Sequence, residues 1–148
     1  MPRFSVLTPV HDPEPADLAA CLGSVRDQTM GDWEHVLVDD GSTRPDVARL
    51  LSEAAADPRV RVVTRAASGG IVAASSDALA AATGELVALL DHDDVLEPDA
   101  LAAMYAAFAA GDDVDVAYSD HDMIRPDGRH VTPSYKPDWS PERLRSQN

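Results

Sequence analysis

Lysine and arginine are missing from Ala66 to Ile124, a stretch that carries 12 Asp or Glu residues. The rest of the 148-residue chain is nearly balanced, 14 acids against 12 bases, so this stretch supplies most of the net charge of −14. A field of that sign repels polyanions and argues against nucleic acid as a partner. A small phosphorylated ligand stays compatible if a cation neutralises part of both charges. Cysteine is nearly absent: Cys21 stands alone in an apolar helical stripe and reads as packing, which removes any disulfide framework. Without paired cysteines, and with five histidines that show no ligand spacing, a structural zinc site is disfavoured. No apolar run approaches the roughly eighteen residues of a membrane helix. The N-terminus shows neither the charged nor the apolar region of a secretory signal. The expectation is a cytoplasmic protein, with any attachment to the inner face of a membrane left to other regions or partners. No G-x-G-x-x-G follows the first apolar segment and no G-x-x-x-x-G-K-[ST] occurs, which disfavours a dinucleotide site and a P-loop. Aromatic residues make up only 5% of the chain; Trp33 and Trp139 read as packing residues, Trp139 the more exposed between Pro137 and Pro141.

What is present is a regular alternation. The 45% hydrophobic content excludes disorder, and the length suits a single domain. Phe4 to Thr8 reads as a strand closed by Pro9. Pro15 to Arg26 reads as a helix with Leu18, Cys21, Leu22 and Val25 on one face. Trp33 to Val38 is a second strand, ended by the turn cluster Asp39-Asp40-Gly41-Ser42. A helix from Pro45 to Ala55 carries Val47, Leu50 and Leu51, and Val60 to Val63 is a third strand. Gly70 to Ala82 is a helix that Gly84 stops, and Glu85 to Leu90 is a fourth strand. Pro98 suits the first turn of a helix whose apolar face is Leu101, Met104, Tyr105 and Phe108. Val114 to Ser119 reads as a fifth strand, and Pro126-Asp127-Gly128 as the turn of a hairpin. Acids such as Asp99, Asp112, Asp113 and Asp115 read as solvated surface.

Strands alternating with helices imply right-handed crossovers and a mainly parallel sheet. Ligands bind such sheets beyond the carboxyl ends of the strands, near the switch in strand order. Thr8-Pro9, Asp39-Asp40, Arg65 and Asp91-His92-Asp93 all fall at strand ends. Asp91 and Asp93, one residue apart at the end of an apolar strand, suit a hard divalent cation that takes oxygen ligands. A solvated acidic surface explains the scattered acids and fits this pair poorly. Ser68-Gly69-Gly70 reads either as a phosphate cradle at a helix start or as a plain loop. Arg65 reads either as a phosphate or base contact or as a surface arginine.

Ser5-Val6-Leu7-Thr8-Pro9-Val10, Leu37-Val38-Asp39-Asp40-Gly41-Ser42-Thr43 and Ala82-Thr83-Gly84-Glu85 running into Leu89-Leu90-Asp91-His92-Asp93-Asp94 together resemble the nucleotide-sugar-binding half of family 2 glycosyltransferases of the GT-A fold. Tyr118-Ser119-Asp120 and Tyr135-Lys136-Pro137-Asp138-Trp139-Ser140 resemble the branch linked to bacterial polysaccharide and O-antigen assembly. The resemblance implies one donor-binding domain over residues 1–148. Its Rossmann-like core would span residues 1–119, and its irregular or hairpin tail, residues 120–148, would lead toward an acceptor half. It further implies that Thr8 and Pro9 pack around the nucleoside and that Asp40 hydrogen-bonds the base, commonly uracil, as a carboxylate accepts an N–H well. Asp39 either binds ligand or caps the turn. Asp91 and Asp93 would hold ribose and the Mn2+ or Mg2+ bridging the diphosphate of a UDP-sugar or similar donor, and His92 would present its backbone. The acceptor would be a glycan or a lipid-linked glycan. The base that deprotonates it would lie beyond these residues, with Asp120 and Asp122 instead near the donor sugar or metal.

The chain departs from the family pattern at several positions. Relatives often carry Tyr-Asn at His11-Asp12, Asn at Ser68 and Ser76, and Glu at His121, which puts the donor's identity in doubt. Two other classes fit less well. A phosphoacceptor signalling domain, suggested by Lys136-Pro137, would place its acid pair after strand one. A non-catalytic carbohydrate- or protein-binding module would have no reason to keep Asp40, Asp91 and Asp93.

Overall fold

A computed structural model describes residues 1–111, 114–125 and 127–147. Asp112, Asp113 and Pro126, named above as surface acids and a turn residue, lie outside the described residues. The chain forms two compact units, Met1–Tyr105 and Ala106–Asn148.

The first unit alternates β1 (Phe4–Val10), α1 (Pro15–Arg26), β2 (Trp33–Asp39), α2 (Pro45–Ala54), β3 (Val60–Thr64), α3 (Ile71–Ala81) and β4 (Leu86–Leu89), and α4 (Ala100–Ala109) follows. The four strands are parallel, in the order β3-β2-β1-β4. The strand order therefore reverses beside β1, between β2 and β4.

Alternation along the strands sorts the core. Val10 of β1 and Leu37 of β2 pack with Leu18 of α1 and with Val47 and Leu51 of α2. Phe4 and Val6 pack with Cys21 and Val25 of α1 and Leu101 of α4. Leu7, Val36 and Val38 point the other way, onto Ala74 and Ala78 of α3. Every β2 residue is buried, as expected for an inner parallel strand covered on both faces. Small alanines on α3 let that helix lie close to the sheet. Burying each large apolar side chain stabilises the fold by roughly 1.5–3 kcal/mol.

Polar bonds at the amino ends close the sheet. The Glu34 carboxylate accepts from Ser5 Oγ at 2.6 Å and from Thr83 Oγ1 at 2.9 Å, and Gly84 N donates to Ser5 Oγ at 2.8 Å. Burial alone would push the Glu34 pKa up, but the Ser5 and Thr83 hydrogen bonds outweigh it and hold it below the ordinary value. The Thr83-Gly84 segment thus ties β4 to β1 and β2.

Several expected boundaries shift. β1 continues through Pro9 to Val10. Leu7 O accepts Leu90 N and Val10 O accepts Asp40 N, so residues 7 and 9 face β4 while 8 and 10 face β2. β4 pairs only with Phe4 to Leu7, so Pro9 sits where no ladder N–H is required. α4 starts at Ala100, and Pro98 lies in the turn before it with its carbonyl accepting Thr29 N at 2.8 Å.

In the second unit β5 (His121–Ile124) and β6 (His130–Ser134) form an antiparallel hairpin, and α5 spans Pro141–Gln147. The hairpin agrees with the turn expected at Asp127-Gly128; Gly128 has φ +79°. The fifth strand expected over Val114 to Ser119 is not formed. Those residues have no ladder partner among the described residues, and Val116 is 63% exposed. Alternating apolar residues favour a strand only where a neighbouring edge accepts their hydrogen bonds.

Candidate nucleotide and metal site

Parallel β1 to β4 deliver their carboxyl ends to one edge of the sheet, and the polar residues predicted from the sequence follow them there. Asp39 closes β2 and its Oδ1 accepts Ser42 N at 2.8 Å. Of its two expected roles, the turn cap is therefore filled. Asp40 is buried, and its carboxylate reaches the loop before α3. It accepts from Gly69 N at 2.9 Å, Gly70 N at 2.8 Å and Ser68 Oγ at 2.8 Å. Arg65, just past β3, places Nε 2.8 Å from Asp40 Oδ1, an ion pair whose N–H is not aligned as a hydrogen bond, while Nη1 pairs with Asp77 of α3. The Gly69 N–H chiefly, with Ser68, Gly70 and the Arg65 charge, outweighs burial and holds the Asp40 pKa below the carboxylate norm.

This cluster shows what the two segments contact within the chain. Ser68-Gly69-Gly70 is an anion cradle whose amide donors already hold a carboxylate, that of Asp40. Arg65 is no free surface arginine but a cation between two acids. Gly41 makes the arrangement fit: it has φ +75°, and a Cβ there would lie 3.0 Å from Ser68 N.

Thr8 and Pro9 divide their tasks. Thr8 is fully buried, with Oγ1 hydrogen-bonded to His35 Nε2 at 3.0 Å, so its side chain belongs to the core. Pro9 is half-buried and its carbonyl accepts His92 Nδ1 at 3.1 Å. A carbonyl only accepts, so His92 carries its proton on Nδ1. His11 likewise donates from Nδ1 to Asp40 O at 2.9 Å. The two imidazoles brace the end of β1 from opposite sides, against β4 and β2.

Asp91 and Asp93 stand exposed in the turn after β4, which Asp94 N closes by donating to Asp91 O at 3.1 Å. Among the described residues no three His, Cys, Asp or Glu side chains gather into a ready cation cage. Two exposed carboxylates with open sides still suit a hard divalent ion, which takes oxygen donors and fills its shell with water or phosphate.

One residue of the site was missed. Asp12, at φ +46°, accepts Thr43 N at 2.8 Å and Arg44 N at 3.0 Å through Oδ1, and Thr43 Oγ1 at 2.9 Å through Oδ2. It thereby satisfies amide donors at the start of α2 and fixes the Asp39–Thr43 turn. The sequence offered an acid beside Pro13 and a departure from the family pattern at His11-Asp12, but no sign of the turn that Asp12 holds. Asp120 and Asp122, in the second unit, are engaged within it: Asp120 Oδ1 accepts Lys136 N at 2.7 Å and Asp122 Oδ2 lies 2.9 Å from His130 Nδ1.

The chain is similar to several known proteins. The chain is 44% identical over 146 residues to the O-antigen biosynthesis protein RfbC of Myxococcus xanthus, covering 98% of this chain and 12% of the relative. It is 33% identical over 125 residues to the chondroitin synthase of Pasteurella multocida strain Pm70, covering 84% and 13%. Among solved structures, residues 1–349 of S. aureus TarS superpose with a TM-score of 0.67 at 25% identity, over 73% of this chain and 32% of that one. The mannosyltransferase PcManGT from Pyrobaculum calidifontis, in complex with GDP-Man and Mn2+, gives a TM-score of 0.66 at 26% identity, over 76% and 34%. The chain thus spans about an eighth of the length of RfbC and of the chondroitin synthase. Residues 5–147 match the model of glycosyl transferase family 2, and the chain belongs to that family.

Proposed function

We propose that this domain binds the nucleotide-diphosphate sugar for an inverting transfer to a glycan or lipid-linked acceptor in cell-surface polysaccharide synthesis. The observation that carries this reading is the gathering of Asp39-Asp40, Arg65 and Asp91-His92-Asp93 at one sheet edge, where the strand order reverses. The likeness to RfbC over nearly the whole chain supports the class of product. The PcManGT complex supports a nucleotide-sugar donor and a divalent ion.

The chain's residues divide the work by chemistry. Asp40 is an acceptor and Arg65, beside it, a donor; together they complement a base that presents an imino N–H next to a carbonyl, such as uracil. Pro9, between the braced strand ends, borders the nucleoside, and the Thr8 side chain holds β1 from the core side. Asp39 keeps the Asp40 turn closed. Gly70 opens the helix that follows the Ser68 loop. Asp91 and Asp93 would hold Mn2+ or Mg2+, whose chemistry is to stabilise negative charge on the departing diphosphate. His92 anchors that acidic turn to β1. The acceptor hydroxyl attacks the anomeric carbon opposite the diphosphate and gives its proton to a carboxylate base. No residue of 1–148 is assigned that base.

Calorimetry with UDP, GDP and dTDP, each with and without Mn2+, tests the reading. UDP binding that strengthens with Mn2+ is expected. Absence of binding by all three nucleotides with the metal present would refute it.

A further inference from the structure

Asp40 is already saturated without a nucleotide. Oδ1 accepts Gly69 N at 2.9 Å and faces Arg65 Nε at 2.8 Å, while Oδ2 accepts Ser68 Oγ and Gly70 N, both at 2.8 Å, with Gly69 N at 3.1 Å. Three donors and the Arg65 charge thus crowd a carboxylate with about four lone-pair positions, so a base N–H must displace one of them. The residue is only 3% exposed, so a donor that leaves is not freely replaced by bulk water.

The donors differ in what holds them. The Gly69 and Gly70 N–H groups are main chain, and Gly70, at φ +82°, leads directly into the first turn of α3. Moving them means rebuilding the start of that helix. Arg65 is anchored on its far side by Asp77. Ser68 Oγ hangs on one rotatable bond of an exposed residue, so a rotamer flip trades Asp40 for water without losing a hydrogen bond. It is the exchangeable member of the set.

We infer that Ser68 is a placeholder for the base: its hydroxyl fills the Oδ2 position that the imino N–H of a uracil or guanine ring takes, and it swings away when the nucleotide enters. The inference rests on the reading that Asp40 meets the base. It makes Ser68 a positioning residue that sets affinity and base selectivity through Asp40, without itself touching the ring. A base with an acceptor at the same ring position, cytosine or adenine, meets a carboxylate lone pair and does not displace the hydroxyl.

Removing the placeholder leaves Oδ2 short of one donor before binding and fully satisfied after it. Ser68→Ala therefore tightens UDP binding by about fivefold, the worth of one net hydrogen bond. CDP, with the same diphosphate and no imino N–H, binds the variant as it binds the parent chain. Ser68→Thr keeps the hydroxyl and restores the parent's UDP affinity. The experiment is calorimetry of the full chain and both variants with UDP and with CDP at one fixed Mn2+ concentration. Unchanged or weaker UDP binding by Ser68→Ala, or UDP and CDP moving together, overturns the placeholder while leaving the donor site intact. Failure of the parent chain to bind UDP, GDP or dTDP with Mn2+ present overturns the donor-site reading on which it stands.

Discussion

His92 donates from Nδ1 to the carbonyl oxygen of Pro9 at 3.1 Å, joining the turn after β4 to the end of β1. β4 stops pairing with β1 at Leu7, so beyond that residue β1 has no ladder partner on this side among the described residues. Pro9 has no N–H to leave orphaned there, and its carbonyl is met by a side chain instead of a strand. The imidazole lies between Asp91 and Asp93 in sequence, so the same bond holds the turn that carries both carboxylates. Proline in an inner strand and histidine in an acidic turn are two halves of one device.

The first prediction concerns Asp93. It is exposed and no described residue hydrogen-bonds its carboxylate, so Asp93→Ala changes stability by no more than about 0.5 kcal/mol. The same change removes one of two oxygen ligands from the proposed cation site. Calorimetry is expected to show UDP binding that no longer responds to Mn2+, with an unchanged thermal unfolding midpoint. Metal-dependent UDP affinity equal to that of the parent chain would sink the assignment.

Gly41 gives the second. A side chain there must adopt φ +75° and would place Cβ 3.0 Å from Ser68 N and 3.3 Å from Ala67 C. The left-handed backbone alone costs about 1–3 kcal/mol. The clash is with main chain, so the loop must retreat and loosen its hold on Asp40. Gly41→Ala is expected to lower stability by about 2 kcal/mol in urea titration and to weaken UDP binding as well. A variant of parent-like stability would show that the loop yields freely.

Much of this architecture could be read from residues that act locally. Pro15 and Pro45 sit at the first positions of α1 and α2, where a missing N–H is harmless, and the apolar stripes behind them are the buried ones. The acids at strand ends were visible because a core cannot hold unpartnered charge. What escaped depends on contacts distant in sequence. The place of Pro9 within β1 turns on which neighbour residue 9 faces, and that follows from where β4 ends. Val114 to Ser119 has the letters of a strand but no edge to join. Asp12 reaches across 31 residues to Thr43, and nothing beside it announces that. Asp40 stands out in the sequence as a strand-end carboxylate, yet its four neighbours, Arg65, Ser68, Gly69 and Gly70, come from a loop whose path the sequence left open.

His35 supplies the last prediction, on pH. Its imidazole is 1% exposed and hydrogen-bonded to Thr8 Oγ1, and burial pushes its pKa down to about 4 from an ordinary 6.5. In the unfolded chain His35 takes a proton below about pH 6.5, whereas the folded chain resists until about pH 4. Between these values the unfolded state binds more protons, so stability rises with pH across the window and is lost as pH falls through it. The full loss amounts to about 3 kcal/mol. Asp12, Glu34 and Asp40 have depressed pKa values, so their contributions are present above the ordinary carboxylate range and disappear only below it. Urea unfolding at steps from pH 7 to pH 5 therefore avoids those carboxylates, and the comparison with His35→Phe separates His35 from the other four histidines. The expected result is a steady fall in stability that His35→Phe flattens, even though that variant starts lower because Thr8 loses its partner. A parent chain equally stable at pH 7 and pH 5 would mean that His35 titrates in the fold as it does in water.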